Sequence, residues 1–282
     1  MNGLRLFAAV CGALAACAST RPLPGSVRAV RHLVTAGGDR VDEIVTVRTR
    51  GEVRQAFLLA TEAGARPSVV ALMFPGGPGV VGLPADVDEL ARGDMFIMRT
   101  RDQFRDPEVA VAILDVPSDH RSGMDDDFRT GREHEQDVTA VLDELKRRFP
   151  DAKVFLVGTS RGTVSAAFLG RTLGPRLGGV VLASTVLAGH RRSLSLRDYD
   201  FGAIRVPLLF VHHASDGCWV CPYAAAREIG ASYPLITVNG GWAAQSDECE
   251  PLSAHGYYGK EAETVAAIKS WMLGRSYPAT IE

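Results

Sequence analysis

Six short apolar runs, at residues 69–74, 109–114, 154–157, 180–182, 208–211 and 235–238, set the strongest limit on what this chain can fold into. Strands exposed on one face alternate apolar and polar residues. Short runs of three to six residues like these suit strands covered on both faces, as in a parallel sheet. The stretches between them can hold helices. The clearest is 132–149, where Val138, Val141, Leu142 and Leu145 recur at helical spacing and Pro150 stops the pattern. Others are predicted at 163–173, 223–229 and 260–272. Before them come 27–35, 41–50 and 53–61, rich in Val and Thr, with Gly37, Gly38 and Gly51 at the turns; these read as antiparallel strands. The expected class is α/β: a doubly wound, mostly parallel sheet with antiparallel N-terminal edge strands and helices on both faces. Residues 190–206 leave too little chain for a large cap.

The first residues read as an export signal. Arg5 precedes an apolar stretch, Leu6 to Ala16, that is too short to span a bilayer but suits a secretory signal. Leu14-Ala15-Ala16-Cys17 resembles a bacterial lipobox, in which the cysteine is acylated and becomes the first mature residue. Cleavage near Ala18 by ordinary signal peptidase is the alternative. The resemblance, with Ala18 rather than an acidic residue after Cys17, implies the periplasm or an outer-membrane lipoprotein. The chain therefore divides into 1–17 signal and lipobox, 18–26 tether, and 27–282 a single folded domain. The only membrane contact expected is a lipid on Cys17. The formal net charge of −2 gives no electrostatic reason to expect nucleic-acid binding, and no oligomeric partner is read from the sequence.

The chemistry starts at 154–157, which runs into Gly158-Thr159-Ser160-Arg161-Gly162 and then a small-residue helix. This is G-x-S-x-G between a strand and a helix. Such a turn puts Ser160 in a strained conformation with its hydroxyl exposed, and side chains at Gly158 or Gly162 would crowd strand and helix. The helix N-terminus directs free N–H groups toward any oxyanion formed there. A second glycine-rich loop, Pro75-Gly76-Gly77-Pro78-Gly79, follows the run 69–74. Pro78 has no N–H, so Gly77 is the expected oxyanion donor from this loop, with the amide of Arg161 as the second. No GK[ST] follows, which argues against a phosphate loop.

A Ser-then-acid-then-His order fits such a turn. Asp216, just past the run 208–211, is the candidate acid, with Asp198 and Asp200 as rivals. His255, before the last helix, is the candidate base. His212 and His213 read as structural, and His120 and His134 as surface residues. Strand–GTSRG–helix, the PGGPG loop, a late-strand Asp216 and the C-terminal His255-Gly256 together resemble the α/β-hydrolase superfamily over roughly residues 65–275. The glycine loop is similar to the HGGPG loop of the proline iminopeptidase group, with Pro75 in the place of its His. The resemblance implies a serine-nucleophile hydrolase of small esters or amides that needs no cofactor. Ester hydrolysis is expected first, peptidase or amidase use of the same triad second, and a non-catalytic envelope binding protein third.

Three cysteines remain in the body. If Asp216 and His255 meet, Cys218 or Cys221 can reach Cys249; the preferred pairing is Cys218–Cys249, with Cys221 free. Cys218-Trp219-Val220-Cys221 could instead be a redox pair or half a metal site. Redox C-x-x-C pairs usually open a helix near the N-terminus, and a strand turns His212 and His213 to opposite faces, so no metal is expected. The polar loop 115–135, with Asp119, Arg121, Asp125 to Asp127 and Arg129, is read as entrance rim or solvated surface. Arg161, beside Ser160, suggests a preference for acidic substrates.

Overall fold

The computed structural model describes residues 27–34, 40–84, 90, 93–189 and 194–282. The signal, lipobox and tether lie outside the described residues. The strands are β1 (Val27–Val34), β2 (Arg40–Arg48), β3 (Arg54–Glu62), β4 (Val69–Phe74), β5 (Val109–Leu114), β6 (Lys153–Thr159), β7 (Leu177–Ala183), β8 (Leu208–His213), β9 (Leu235–Val238) and β10 (Thr280–Ile281). They form one sheet in the order β1-β2-β3-β5-β4-β6-β7-β8-β9-β10. The first three strands and the β3–β5 pair are antiparallel, and every other neighbouring pair is parallel.

The two-faced burial that the apolar runs imply is visible residue by residue. On β4, Val70, Leu72 and Phe74 join one core, and Val69, Ala71 and Met73 join the other. The same alternation runs through β5 and β6. The first core is covered by α4 (Arg132–Arg148), α5 (Gly162–Leu173) and α6 (Tyr223–Ile229). The second is covered by α1 (Phe96–Arg99), α2 (Arg101–Phe104) and α7 (Glu261–Met272). Helix α4 buries Val138, Val141, Leu142 and Leu145, and ends on Lys146, Arg147 and Arg148, cations favourable at the negative end of its dipole. A short α3 (Asp126–Thr130) precedes it, capped by the Asp125 carboxylate, which accepts from the Phe128 amide at 2.8 Å. No helix among the described residues is long and apolar enough to cross a membrane.

Strand order fixes where a site can form. After β4 the chain adds β5 on one side and then returns to add β6 on the other. Loops leaving the C-terminal ends of β4 and β6 therefore diverge from adjacent strands, paired as far as Phe74 and Gly158. Open α/β sheets form their ligand crevice at such a switch point. Both glycine-rich loops emerge there.

Candidate active site

The turn after β6 is tight enough to account for its glycines. A β-carbon on Gly158 would come 2.6 Å from the Gly162 carbonyl oxygen, and one on Gly162 would come 2.1 Å from that of Phe74. Between them Ser160 has φ +53°, a conformation that typically costs a non-glycine residue about 1–3 kcal/mol. Its amide donates to the Ala183 carbonyl at 3.0 Å, and its carbonyl accepts from the amide and hydroxyl of Thr163 at 2.9 and 2.6 Å. The strained backbone is thus held from both sides, with the half-buried side chain at the edge of a cleft.

Ser160 and His255 line one cleft of 220 Å³ with Gly76, Gly77 and Pro78 of the glycine loop. Val80, Met95, Phe96, Ile97 and Pro251 supply apolar wall, and Cys249, Glu250 and Gly256 complete the lining near His255. A larger groove of 760 Å³ lies between the end of β2 and α4 and shares no residue with this cleft. It is lined by charged and polar side chains and holds none of the candidate groups. Among the described residues the amides of Gly77 and Arg161 have no intramolecular acceptor.

Asp216 follows β8 with its side chain fully buried. One carboxylate oxygen accepts from the Cys218 amide at 2.9 Å, and the other accepts from His255 Nδ1 at 2.9 Å. Asp216, and not Asp198 or Asp200, is therefore the acid that meets His255. The bond fixes the imidazole so that Nε2 carries the free lone pair. That Nε2 is buried and has no partner among the described residues. The Ser160 hydroxyl instead neighbours the thiol of Cys221. Burial pushes that thiol's pKa well above its usual value, against the smaller lowering effect of Ser160.

The loop carrying His255 is pinned by groups that sequence reading did not single out. The His255 amide donates to the Ser253 hydroxyl at 3.2 Å. The Ser184 hydroxyl donates to the His255 carbonyl at 2.8 Å and lies 3.0 Å from the buried Tyr257 hydroxyl, which donates to Val211 on β8 at 2.7 Å. Arg99 donates to the Gly256 carbonyl at 2.6 Å and pairs with Glu261 at 2.9 Å. Ser184 and Tyr257 each have positive φ. Nothing in a single sequence marks an isolated Ser or Tyr as such an anchor.

Cys218 and Cys249 are joined in a disulfide with Cα atoms 4.5 Å apart, and Cys221 is a buried free thiol. Ligand atoms of Cys218, Cys221 and His255 come within 4.8 Å of one another, but the Cys218 sulfur is committed to the disulfide. His212 and His213 do not join this group. Burial lowers the His212 pKa to about 3, and its Nε2 accepts from the Thr185 amide at 2.9 Å. His213 bonds the Gly240 carbonyl and the Ser215 amide.

Three expectations for the surroundings need correction. His134 is fully buried, since it sits on the inner face of the first turn of α4 against Phe74 and Phe128. Arg129 is neither rim nor solvated surface: it is 1% exposed behind the glycine loop. The Arg161 side chain does not line the cleft; it pairs with Asp126 at 2.6 Å, which neutralises the charge proposed to attract acidic substrates.

No protein-family model matches the sequence, and no curated protein matches it. Solved structures do match. An esterase from an Arctic intertidal metagenomic library superposes with TM-score 0.58 at 12% identity, covering 88% of this chain and 97% of that one. The chain has the α/β-hydrolase fold. A lidless α/β serine hydrolase from Xanthomonas campestris is similar at TM-score 0.55 and 13% identity, over 84% of this chain and 95% of its own. Dienelactone hydrolase from Anabaena variabilis is similar at TM-score 0.57 and 14% identity, over 84% and 99%. At such identities the likeness concerns the fold. The α/β-hydrolase fold places a nucleophile elbow after a central strand, and Gly158 to Gly162 occupy that position here.

Proposed function

We propose that the chain is a serine hydrolase of small carboxylic esters. The observation that carries this reading is the buried Asp216–His255 pair with a bare Nε2, opening on the same cleft as a strained, half-buried serine. Ser160 turns from Cys221 toward His255 and attacks the acyl carbon, while Nε2 takes its proton. Asp216 holds the tautomer and stabilises the imidazolium. The Gly77 and Arg161 amides bind the oxyanion, supplying several kcal/mol of transition-state stabilisation. His255 then protonates the leaving alcohol, and water, activated by the same imidazole, resolves the acyl-enzyme. No step calls for a metal or cofactor.

The cleft volume of 220 Å³ is below the range of roughly 300–1,000 Å³ usual for drug-sized ligands, which favours a short acyl group against the apolar wall. Esters are preferred over amides because the similar structures named above include an esterase and a dienelactone hydrolase. Export, with a lipid on Cys17 as the sole membrane contact, belongs to the same proposal; a disulfide between two loops of the site suits an oxidising compartment.

The test is hydrolysis of p-nitrophenyl acetate and butyrate beside the matching anilides, with wild type and Ser160→Ala. The expected result is ester turnover that falls by about a thousandfold or more in the variant, with slower anilide cleavage. Folded wild-type protein with no Ser160-dependent turnover of any short-chain ester would overturn the reading and favour a binding protein.

A further inference from the structure

Arg129 is the bulkiest of the fully buried side chains. Burial and the nearby Arg161 lower its pKa only to about 10, so the guanidinium is charged at neutral pH. Taking such a charge from water is costly unless carboxylates or good hydrogen bonds offset it. Its hydrogen bonds go to neutral acceptors: Nη1 donates to the Ser165 hydroxyl at 3.0 Å and Nη2 to the Gly77 carbonyl at 3.0 Å. Asp125 and Asp126 act on it through space, and its Nε has no acceptor among the described residues. A Leu or Met could fill the same volume without this cost, so packing alone is a poor explanation.

The partners point to another one. Ser165 lies on α5, behind the nucleophile elbow, and Gly77 lies in the loop facing it. The guanidinium therefore ties the two halves of the cleft together. Gly77 has φ +54° and open space where a β-carbon would stand, so its own sterics do not fix its peptide orientation. Pro78 follows and offers no N–H. The peptide that carries the Gly77 N–H is held at its Gly76 carbonyl, which accepts from Gly79 N–H at 3.0 Å to close the turn, and the Pro78 carbonyl accepts from Met124 N–H at 2.8 Å. The Gly77 carbonyl has Arg129. The loop is also shaped to receive it: a β-carbon on Gly79 would fall 2.9 Å from Nη2.

We propose that Arg129 is a positioning residue for the oxyanion hole: by fixing the Gly77 carbonyl it holds the central peptide of the Gly76–Gly79 turn, limits the torsions of Gly77 and so steadies the turn that presents the Gly77 amide to the anion formed over Ser160. The inference rests on the hydrolase reading above. An amide misaimed in this way stabilises the transition state less and leaves ground-state binding nearly untouched.

The experiment compares wild type, Arg129→Lys and Arg129→Ala on p-nitrophenyl acetate, with circular dichroism and melting curves as controls for folding. Removing one oxyanion donor outright costs about 100- to 1,000-fold in kcat, so Arg129→Ala should lose about 30- to 100-fold in kcat with KM within about threefold. Millimolar guanidinium should restore it at least about fivefold, a recovery that general destabilisation would not give. Arg129→Lys keeps the charge but not the fork, and should lose at least about fivefold in kcat; it carries the test if the alanine variant does not fold. A folded Arg129→Lys with kcat within twofold of wild type, a loss confined to KM, or an alanine variant that guanidinium does not rescue would overturn the inference while leaving the hydrolase reading intact. Wild type lacking Ser160-dependent turnover would remove both.

Discussion

Opening the Cys218–Cys249 disulfide should cost both stability and activity. The bridge closes a segment with a sequence separation of 31. In the chain-entropy model, 2.1 + 1.5R ln 31 gives about 12 cal/mol/K, or about 3.7 kcal/mol at 25 °C. For a chain of this size 1 kcal/mol moves the melting temperature by about 2–4 °C, so reduction should lower it by about 7–15 °C. The activity loss has a separate cause. Cys218 donates its amide to Asp216, and Cys249 lines the cleft beside His255. Freeing the two ends loosens the acid and base loops relative to each other. The assay is thermal unfolding of oxidised and reduced wild type beside Cys218→Ala/Cys249→Ala, with thiol titration showing two new thiols per chain after reduction. Initial rates are read on the same samples below the lower melting point. Complete reduction with a shift under about 2 °C and unchanged kcat would refute the reasoning.

Asp216→Asn should keep the fold and lower kcat by about 10³- to 10⁴-fold through the wrong imidazole tautomer; a loss under tenfold in steady-state assays would contradict the role given to it. Tyr257→Phe removes the buried bonds to Val211 and Ser184 and should cost about 1–3 kcal/mol in urea unfolding, with no change expected only if the hydroxyl is idle. His134 and His212 are buried neutral, each lowered to about 3 by burial. Their stabilising contribution is complete above the unfolded value near 6.5 and is lost as pH falls below it, with a slope of up to about 2.7 kcal/mol per pH unit near pH 5; urea midpoints that stay flat between pH 7 and 5 would contradict this. Methyl methanethiosulfonate should modify Cys221 slowly in the native protein, since the thiol is buried and its pKa raised. The adduct would abut Ser160 and abolish turnover, so full modification with full activity would place that thiol away from the nucleophile.

What could be read in advance follows from how local each signal is. β4 and β5 match the apolar runs residue for residue because strands covered on both faces show no polar break until they end; β9 matches as well, although it buries only Ile236 and Val238. β6 runs on through Thr159, since the elbow's residues continue the ladder without being apolar. Helices α1, α2 and α3 leave no period in the sequence: at four or five residues they are shorter than the two turns a 3.6-residue period needs to show itself. At the site, Ser160, Asp216 and His255 could be proposed because each sits at a strand end or motif fixed by chain order. Arg129 and Tyr257 act through partners 52 and 46 positions away. Only the assembled sheet and its loops bring those partners together, and nothing in the flanking residues distinguishes a buried Arg from a solvated one.

Intact-mass analysis after treatment with a fluorophosphonate tests the central claim most directly. The account predicts one phosphonyl group per folded chain, mapped to Ser160, absent from Ser160→Ala and formed much more slowly in His255→Ala. A folded wild-type chain that takes up no phosphonyl group, or one that carries it on another residue and keeps it in Ser160→Ala, would contradict the account.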